Sequence, residues 1–308
     1  MRTRVGVRPF DSFSSVDELK RDSLLFDQIA ISELSMNLGY AEEYAETDED
    51  RRRIAELQYL RENNVVFEPS VNINDPRLVD TPVYRDYKRS LAALTGVLES
   101  MLSGNAPADG GITFFSLGPG LSTTEINTRL DAALLSLQPN IEAFPVLQGS
   151  IGSLDGKDAP KADVLQVVLT ALPVPSPDTS WERVLEVRND TDVRHKFTRL
   201  REWISETARS QLPPIEVAEK LEALIAQYRE AMAVYDLKVH ATTLETVVVT
   251  VAELAEDLVK FKWGKLAQGL FTLRHRRIAL MESELKAPGR EVAYVDVVER
   301  AFSKSPHA

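Results

Sequence analysis

Short apolar runs alternate with amphipathic segments through the first half of the chain, and this alternation limits the possible folds most strongly. Extended runs rich in β-branched and aromatic residues are predicted at residues 24–31, 65–67, 112–117, 141–147 and 164–172. Segments with apolar residues three or four positions apart separate most of these runs and are typical of helices. Strand, helix, strand is the order of crossover units in a parallel sheet. The sequence therefore predicts an α/β fold with a mainly parallel sheet.

The second half changes character at Pro173, Pro175 and Pro177, because three prolines in five residues cannot continue a helix or an interior strand. The segments that follow carry apolar stripes at helical spacing, at residues 192–209, 217–232 and 244–259. We therefore predict two domains, an α/β domain over residues 1–175 and an all-α helical bundle over residues 176–308. The protein is expected to be rich in helix overall.

Composition limits the class of protein. The chain has 308 residues, of which 44% are hydrophobic and 27% charged, as in ordinary globular proteins. Its net charge of −11 argues against a surface that coats nucleic acid or membrane throughout. The absence of cysteine excludes disulfides and thiolate chemistry. No secretory h-region follows Met1, and no run approaches the roughly 20 apolar residues of a membrane span, so we expect a cytoplasmic protein.

One late segment, residues 260–277, is basic on this acidic chain. It contains no Asp or Glu, and aromatic residues lie among its charges. The residues that we predict to bind a partner are Lys260, Lys262, Trp263, Lys265, Arg274, Arg276 and Arg277. On a helix several of these charges would share one face, where an anionic partner is held by Coulomb attraction. The alternative is that the basic side chains pair with the acidic surface of the first domain.

A glycine-containing loop lies between a predicted strand and a predicted helix. Its predicted ligand-binding residues are Gly118, Gly120, Ser122 and Thr123. At such a junction the backbone N–H groups and the positive helix end face the carboxyl edge of the sheet, where anions bind. No lysine follows the glycines, so the loop is not a phosphate-binding P-loop. The alternative is a tight turn followed by a capping box between Ser122 and Glu125.

Two carboxylates are candidates for catalysis. Glu68 ends a predicted strand just before Pro69, which suits a catalytic base or a metal ligand, whereas Asp27 lies within the predicted strand at residues 24–31. The alternative for both is an ordinary solvated or turn residue. The four histidines are scattered and form no metal-binding spacing, and no cofactor motif is found. We therefore predict no metal site and assign no cofactor.

These observations leave three hypotheses for function. The leading one is a non-enzymatic interaction or regulatory subunit that binds an acidic protein through the basic segment. The second is an enzyme or sensor of a small phosphorylated ligand, which would bind at the loop that contains Gly118 and use Glu68 as acid, base or metal ligand. The third is an accessory protein in nucleic-acid processing. A protein partner is favoured over nucleic acid, and a homo-oligomer is compatible with the sequence.

Overall fold

The structure is a computed structural model, which describes residues 2–9, 16–70, 72–102, 123–147, 150–154, 159–253, 284 and 286–302. The elements of the α/β part are β1 (Thr3–Arg8), α1 (Val16–Leu25), β2 (Gln28–Ile31), α2 (Leu34–Glu43), α3 (Asp48–Glu62), β3 (Val66–Phe67), α4 (Pro82–Leu102), α5 (Thr123–Ser136), β4 (Ile141–Leu147) and β5 (Ser150–Ile151). The helices that follow are α6 (Ala159–Ala171), α7 (Trp181–Asn189), α8 (Thr191–Arg209), α9 (Pro214–Glu253) and α10 (Ala293–Phe302). Single 3₁₀ turns cover Pro76–Leu78 and Arg290–Val292.

The described strands form one five-stranded sheet in the order β3-β2-β1-β4-β5. β1 pairs in parallel with β2 and with β4, and β2 pairs in parallel with β3. Only the short β5 is antiparallel to its neighbour among these strands. The predicted fold class, a mainly parallel α/β region followed by helices, is confirmed.

The central strand β1 has two chemically different faces. Val5 and Val7 belong to a small apolar core with residues of α5. Arg4, Gly6 and Arg8 lie on the other face of the strand, and both arginines are buried. A Cβ added at Gly6 would lie 2.8 Å from the ring of Phe26. The Phe26 ring therefore occupies the space beside Gly6, and two buried guanidinium groups flank that position on the strand.

The sheet is covered on both faces. One face, including Ile29 and Phe144, packs on α1, α3, α6, α7 and α8 in the largest apolar core. The opposite face packs on α5, and α4 covers the outer side of α5. This three-layer arrangement leaves both ends of the parallel strands facing away from the main cores.

Local signals explain where several helices begin. Thr47 is the N-cap of α3 and forms a capping box with Asp50. Ser180 caps α7 by accepting the N–H of Arg183, and Asp190 caps α8 through the N–H groups of its first turn. Proline stands at the first position of α4 and of α9, where no intrahelical N–H is needed.

Two predicted strands differ from the observed elements. Residues 24–31 were predicted to be one strand, but α1 continues to Leu25 and β2 begins only at Gln28. The prediction of an extended run at residues 164–172 is wrong, because these residues belong mainly to α6. Its buried side chains, including Val164, Leu165, Val168 and Leu169, recur at helical spacing within a run that is almost wholly apolar. Residues 112–117 lie outside the described residues.

The main core continues from the sheet into the helices that follow residue 180. It includes Leu19 of α1, Trp203 of α8 and Val298 of α10. The Tyr294 hydroxyl donates to the carbonyl of Leu24 at 2.6 Å, and Lys20 Nζ donates to the carbonyl of Pro177 at 2.9 Å. The division into two domains near residue 175 stays a prediction. Within the ranges described, no helix is long and apolar enough to cross a membrane.

Candidate functional site

The carboxyl edge of the parallel sheet is the first place to look for a site. The chain leaves β1 to form β2 and then β3 on one side, and returns to place β4 on the other side. Parallel sheets bind ligands at the carboxyl ends of the strands, most often where the strand order reverses, which here is between β1 and β4, one strand away from β2. Among the described residues, those that follow the strands at this edge include Ser32 and Glu33 after β2 and Glu68 after β3.

Glu33 has an unusual backbone conformation for its position. Its φ of 55° and ψ of 29° are left-handed, although it is the N-cap of α2, where extended backbone is the norm. The other described non-glycine residues with positive φ, Asn64 and Gln211, lie two positions beyond α3 and α8, where left-handed backbone commonly ends a helix. Strain of this kind is concentrated at functional sites.

Two serine–carboxylate pairs flank Glu33. The Ser32 hydroxyl donates to Oδ2 of Asp131 on α5. The Ser35 hydroxyl donates to Oε2 of Glu68, and the Ser35 backbone N–H donates to the same oxygen at 3.2 Å. The turn from β2 into α2 is thereby tied to both the neighbouring strand and the helix behind the sheet.

The carboxylates of Glu33, Glu68 and Asp131 form an acidic edge that has no ion pair with the described residues. In the described part of the chain, no Lys or Arg nitrogen lies within 4.0 Å of any of the three. Burial raises the pKa of the half-buried Asp131, and the negative charge of Glu33 raises it further, whereas the Ser32 hydrogen bond opposes the rise. We call these three carboxylates and the two serines the acidic edge.

Glu68 also borders a recess in the surface. An open cavity of about 650 Å³ lies along the outer side of β3, and its lining includes Arg61, Phe67, Glu68 and Ser70. The Glu68 side chain is exposed. A ligand could therefore reach this carboxylate from solvent. Over the described ranges, no set of three or more His, Asp or Glu side chains is arranged to hold a metal ion.

Arg8, the last residue of β1, is already engaged by acids of α1. Its Nε lies 2.8 Å from Oδ2 of the buried Asp22, and its Nη2 donates to Glu18. Burial raises the pKa of Asp22 to about 6, because the loss of hydration outweighs the attraction of Arg8. The end of β1 therefore adds two further carboxylates near this edge, and Arg8 and Arg21 both attract the Asp22 carboxylate.

The two predicted catalytic carboxylates lie at opposite ends of the sheet. Glu68 directly follows β3 and belongs to the acidic edge, as its position in the sequence suggested. Asp27 precedes β2 instead of lying within it, so it stands at the amino edge. There its Oδ2 accepts the backbone N–H of Arg4 at 2.7 Å and Nη1 of Arg201 at 2.6 Å. The structure therefore separates Asp27 from Glu68.

Of the predicted ligand loop, only the last residue is described. Gly118, Gly120 and Ser122 lie outside the described residues, and Thr123 is the first residue of α5. A turn over residues 137–140 joins α5 to the amino end of β4, so the first turn of α5 points towards the carboxyl edge. The prediction of a phosphate site in this loop stays a prediction.

The predicted partner-binding residues also lie outside the described residues. They are Lys260, Lys262, Trp263, Lys265, Arg274, Arg276 and Arg277. The interaction with an acidic partner stays a prediction for this reason.

Sequence reasoning missed four members of the acidic edge, namely Ser32, Glu33, Ser35 and Asp131. The first three follow a predicted strand directly, and polar residues at that position were a usable signal. Asp131 is 99 positions from Ser32, and no local pattern links the two residues.

The chain matches no protein-family model, no curated protein and no solved structure.

Proposed function

We propose that the α/β part binds a small ligand at the acidic edge, through groups on the ligand that donate hydrogen bonds. Hydroxyl and ammonium groups are the chemistry that fits. The observation that carries the proposal is that Glu33 interacts electrostatically with Asp131, while Glu68 is bound to the same turn through Ser35, at the carboxyl end of parallel strands. Among the described residues, no Lys or Arg nitrogen lies within 4.0 Å of these three carboxylates. A donor group from a ligand would supply the missing hydrogen bonds.

Two further observations support this proposal. The strained Glu33 lies between both serine–carboxylate pairs, and strain at such a position is maintained only where the surrounding structure holds it. The raised pKa of Asp131 suits a group that exchanges a proton with a ligand hydroxyl. The acidic edge could thus serve an enzyme by acid–base chemistry or a sensor by binding alone.

The ligand can be sought by thermal shift with amines, polyols and their phosphate esters. Compounds that bind should raise the unfolding midpoint of the wild-type protein. Glu68→Gln and Asp131→Asn should lose this response, because an amide presents one acceptor oxygen where a carboxylate presents two. Glu43→Gln is the matched control, since Glu43 is an exposed carboxylate on α2, away from the strand ends.

The proposal fails if no compound in the panel stabilises the protein. It also fails if the two variants respond as strongly as the wild type. The phosphate esters test the phosphate site predicted in the loop that contains Gly118. If the esters raise the unfolding midpoint more than the parent polyols do, this result supports the predicted site. The interaction role predicted for residues 260–277 is a separate hypothesis on which this experiment does not bear.

A further inference from the structure

A second recess lies far from the sheet edge, between α8 and α9. One cavity of about 390 Å³ is lined by Trp203 of α8, Leu224 of α9 and residues of the turn at Arg290–Val292. A smaller one of about 110 Å³ adjoins it and is lined by Lys196, Tyr228 and Glu284, among others. Arg199 and Arg290 line both cavities. The larger cavity is within the range of roughly 300–1,000 Å³ that small-molecule sites occupy.

Gly289 positions the turn that forms one wall of this recess. Its φ is +73°, and a Cβ at this position would lie 2.0 Å from the carbonyl oxygen of Leu224. Only glycine allows the chain to come so close to the backbone of α9. The contact holds Arg290 beside the groove between α8 and α9, opposite Arg199.

Among the residues that the structure describes, the two arginines have no carboxylate partner. Arg199 lies on α8 and Arg290 on the turn, and both contribute to the same two cavities. Neither forms an ion pair or a side-chain hydrogen bond with the part of the chain that the structure describes. The nearby Glu284 is committed elsewhere, since it binds Lys196 Nζ at 3.0 Å and accepts from the Tyr228 hydroxyl at 3.2 Å.

Trp203 contributes apolar surface to the larger cavity. It lines this cavity and is only 5% exposed, and its Nε1 is buried away from solvent. Among the described residues this N–H has no acceptor, but a ligand in the cavity does not reach it. The two guanidinium groups remain as donors to an anionic oxygen in the cavity.

The same cavity also carries negative charge, from Glu202, Glu206 and Glu291, and its lining includes Lys220 besides the two arginines. Glu202 and Glu206 lie one turn apart on α8, on either side of Trp203, and both side chains are exposed. No basic nitrogen in the described ranges comes within 4.0 Å of either carboxylate. Like charges at this spacing destabilise a helix slightly. A simple anion would be repelled by these two groups, whereas an ammonium group would be attracted to them.

We infer that this recess binds a small zwitterion of the amino-acid type. Its carboxylate would lie between Arg199 and Arg290. Its ammonium group would face Glu202 and Glu206, and Leu224 would contact its apolar part. This site is separate from the acidic edge and does not depend on the function proposed there.

Isothermal titration calorimetry of the full chain with free L-amino acids tests the inference. Arg199→Gln and Arg290→Gln should each weaken binding about tenfold or more, because each removes one charge-assisted hydrogen bond. Arg194→Gln is the matched control, because Arg194 is an exposed arginine of α8 that does not line the recess.

Two further probes separate a zwitterion site from a plain anion site. Acetate carries the carboxylate alone and methylammonium the ammonium alone, and both should bind at least tenfold more weakly than the amino acids. The inference is overturned if no amino acid binds, if acetate or inorganic phosphate binds as tightly as the amino acids, or if the arginine variants bind like Arg194→Gln. Circular dichroism of each variant establishes that it is folded before the titration.

Discussion

At the scale of single residues, the conformation of Glu33 is the most informative feature. Left-handed backbone costs any residue with a Cβ about 1–2 kcal/mol, and Glu33 adopts this conformation. No sequence pattern around Glu33 predicts it. Asn and Asp adopt such backbone readily, but Glu does not. The residue is therefore held by its surroundings, through the serine–carboxylate pairs on both sides.

Replacing Glu33 by glycine and by alanine separates backbone strain from loss of the charge. Glu33→Gly relieves the backbone strain of the folded state, but glycine loses more conformational entropy on folding than Glu does. The net result that we expect is a rise of about 0.5–1 kcal/mol in the free energy of unfolding. Glu33→Ala keeps a Cβ and should bring no such gain. Urea unfolding measures both values. Equal stabilities for the two variants would show that the backbone at this position is not strained.

The buried Asp22 should make stability depend on pH. Its pKa rises from 3.8 to about 6 in the folded protein, so between pH 6 and pH 4 the folded state binds a proton that the unfolded state does not. The contribution of this group to stability therefore increases as the pH falls through that window, by about 3 kcal/mol in total.

Asp22→Asn removes this titration. The difference in unfolding free energy between wild type and variant should shift in favour of the wild type as the pH is lowered from 7 to 4. Urea titrations at a series of pH values give this difference. A difference that is constant over the range, or that shifts the other way, would contradict the burial argument.

At the scale of elements, the turn before α10 depends on a single glycine. Gly289→Ala would place a Cβ 2.0 Å from the Leu224 carbonyl oxygen in left-handed backbone, so we expect a loss of about 2–4 kcal/mol. Gly39→Ala is the matched control, because Gly39 lies in α2 and, apart from its own helix, no described residue lies within 4 Å of its Cβ position. Alanine should stabilise that helix by up to about 1 kcal/mol.

Thermal unfolding monitored by circular dichroism compares the two glycine variants. Their midpoints should move in opposite directions from that of the wild type. A Gly289→Ala midpoint equal to that of the wild type would mean that the turn does not approach α9 as closely as described.

Elements with clear local signals could be predicted from the sequence, and elements held by distant partners could not. β4 has the predicted bounds, and Glu68 follows β3 as expected. β1 was missed because its arginines look like surface residues, although Arg4 and Arg8 are buried against acids from other elements. α6 was mistaken for a strand because a nearly continuous apolar run conceals its helical period.

At the scale of the whole molecule, a buried polar network joins the sheet to the helices that follow it. Arg201 of α8 donates to Asp27 beside β2 at 2.6 Å and also to the carbonyl of Arg2. Arg188 of α7 donates to the carbonyl of Asp27. The partners in these contacts are more than 150 positions apart in sequence, so the contacts form only when the sheet and the later helices pack together.

Breaking this network should destabilise the whole protein. Arg201→Met leaves Asp27 without its guanidinium partner, and we expect a loss of about 3–5 kcal/mol. The exposed Arg209 on the same helix supplies the control variant Arg209→Met, which should change stability by less than about 0.5 kcal/mol. Combining Arg201→Met with Asp27→Asn should cost less than the sum of the single variants, as chemical denaturation can show.

The parallel sheet and the following helices were predictable because hydrophobic periodicity reports which faces are buried. The acidic edge was only partly predictable. Ser32 and Glu68 follow strands in the sequence, but the contact between Ser32 and Asp131 depends on how α5 crosses behind the sheet. Local patterns carry no information about such a crossing.

The central claim is that small ligands with donor groups bind at the acidic edge, and a crystallographic fragment screen on the full chain tests it most directly. We expect amine- and hydroxyl-bearing fragments within hydrogen-bond distance of Glu33, Glu68 or Asp131, beside the turn from β2 into α2. A screen in which such fragments occupy other surfaces of the molecule and leave this edge empty would contradict the claim.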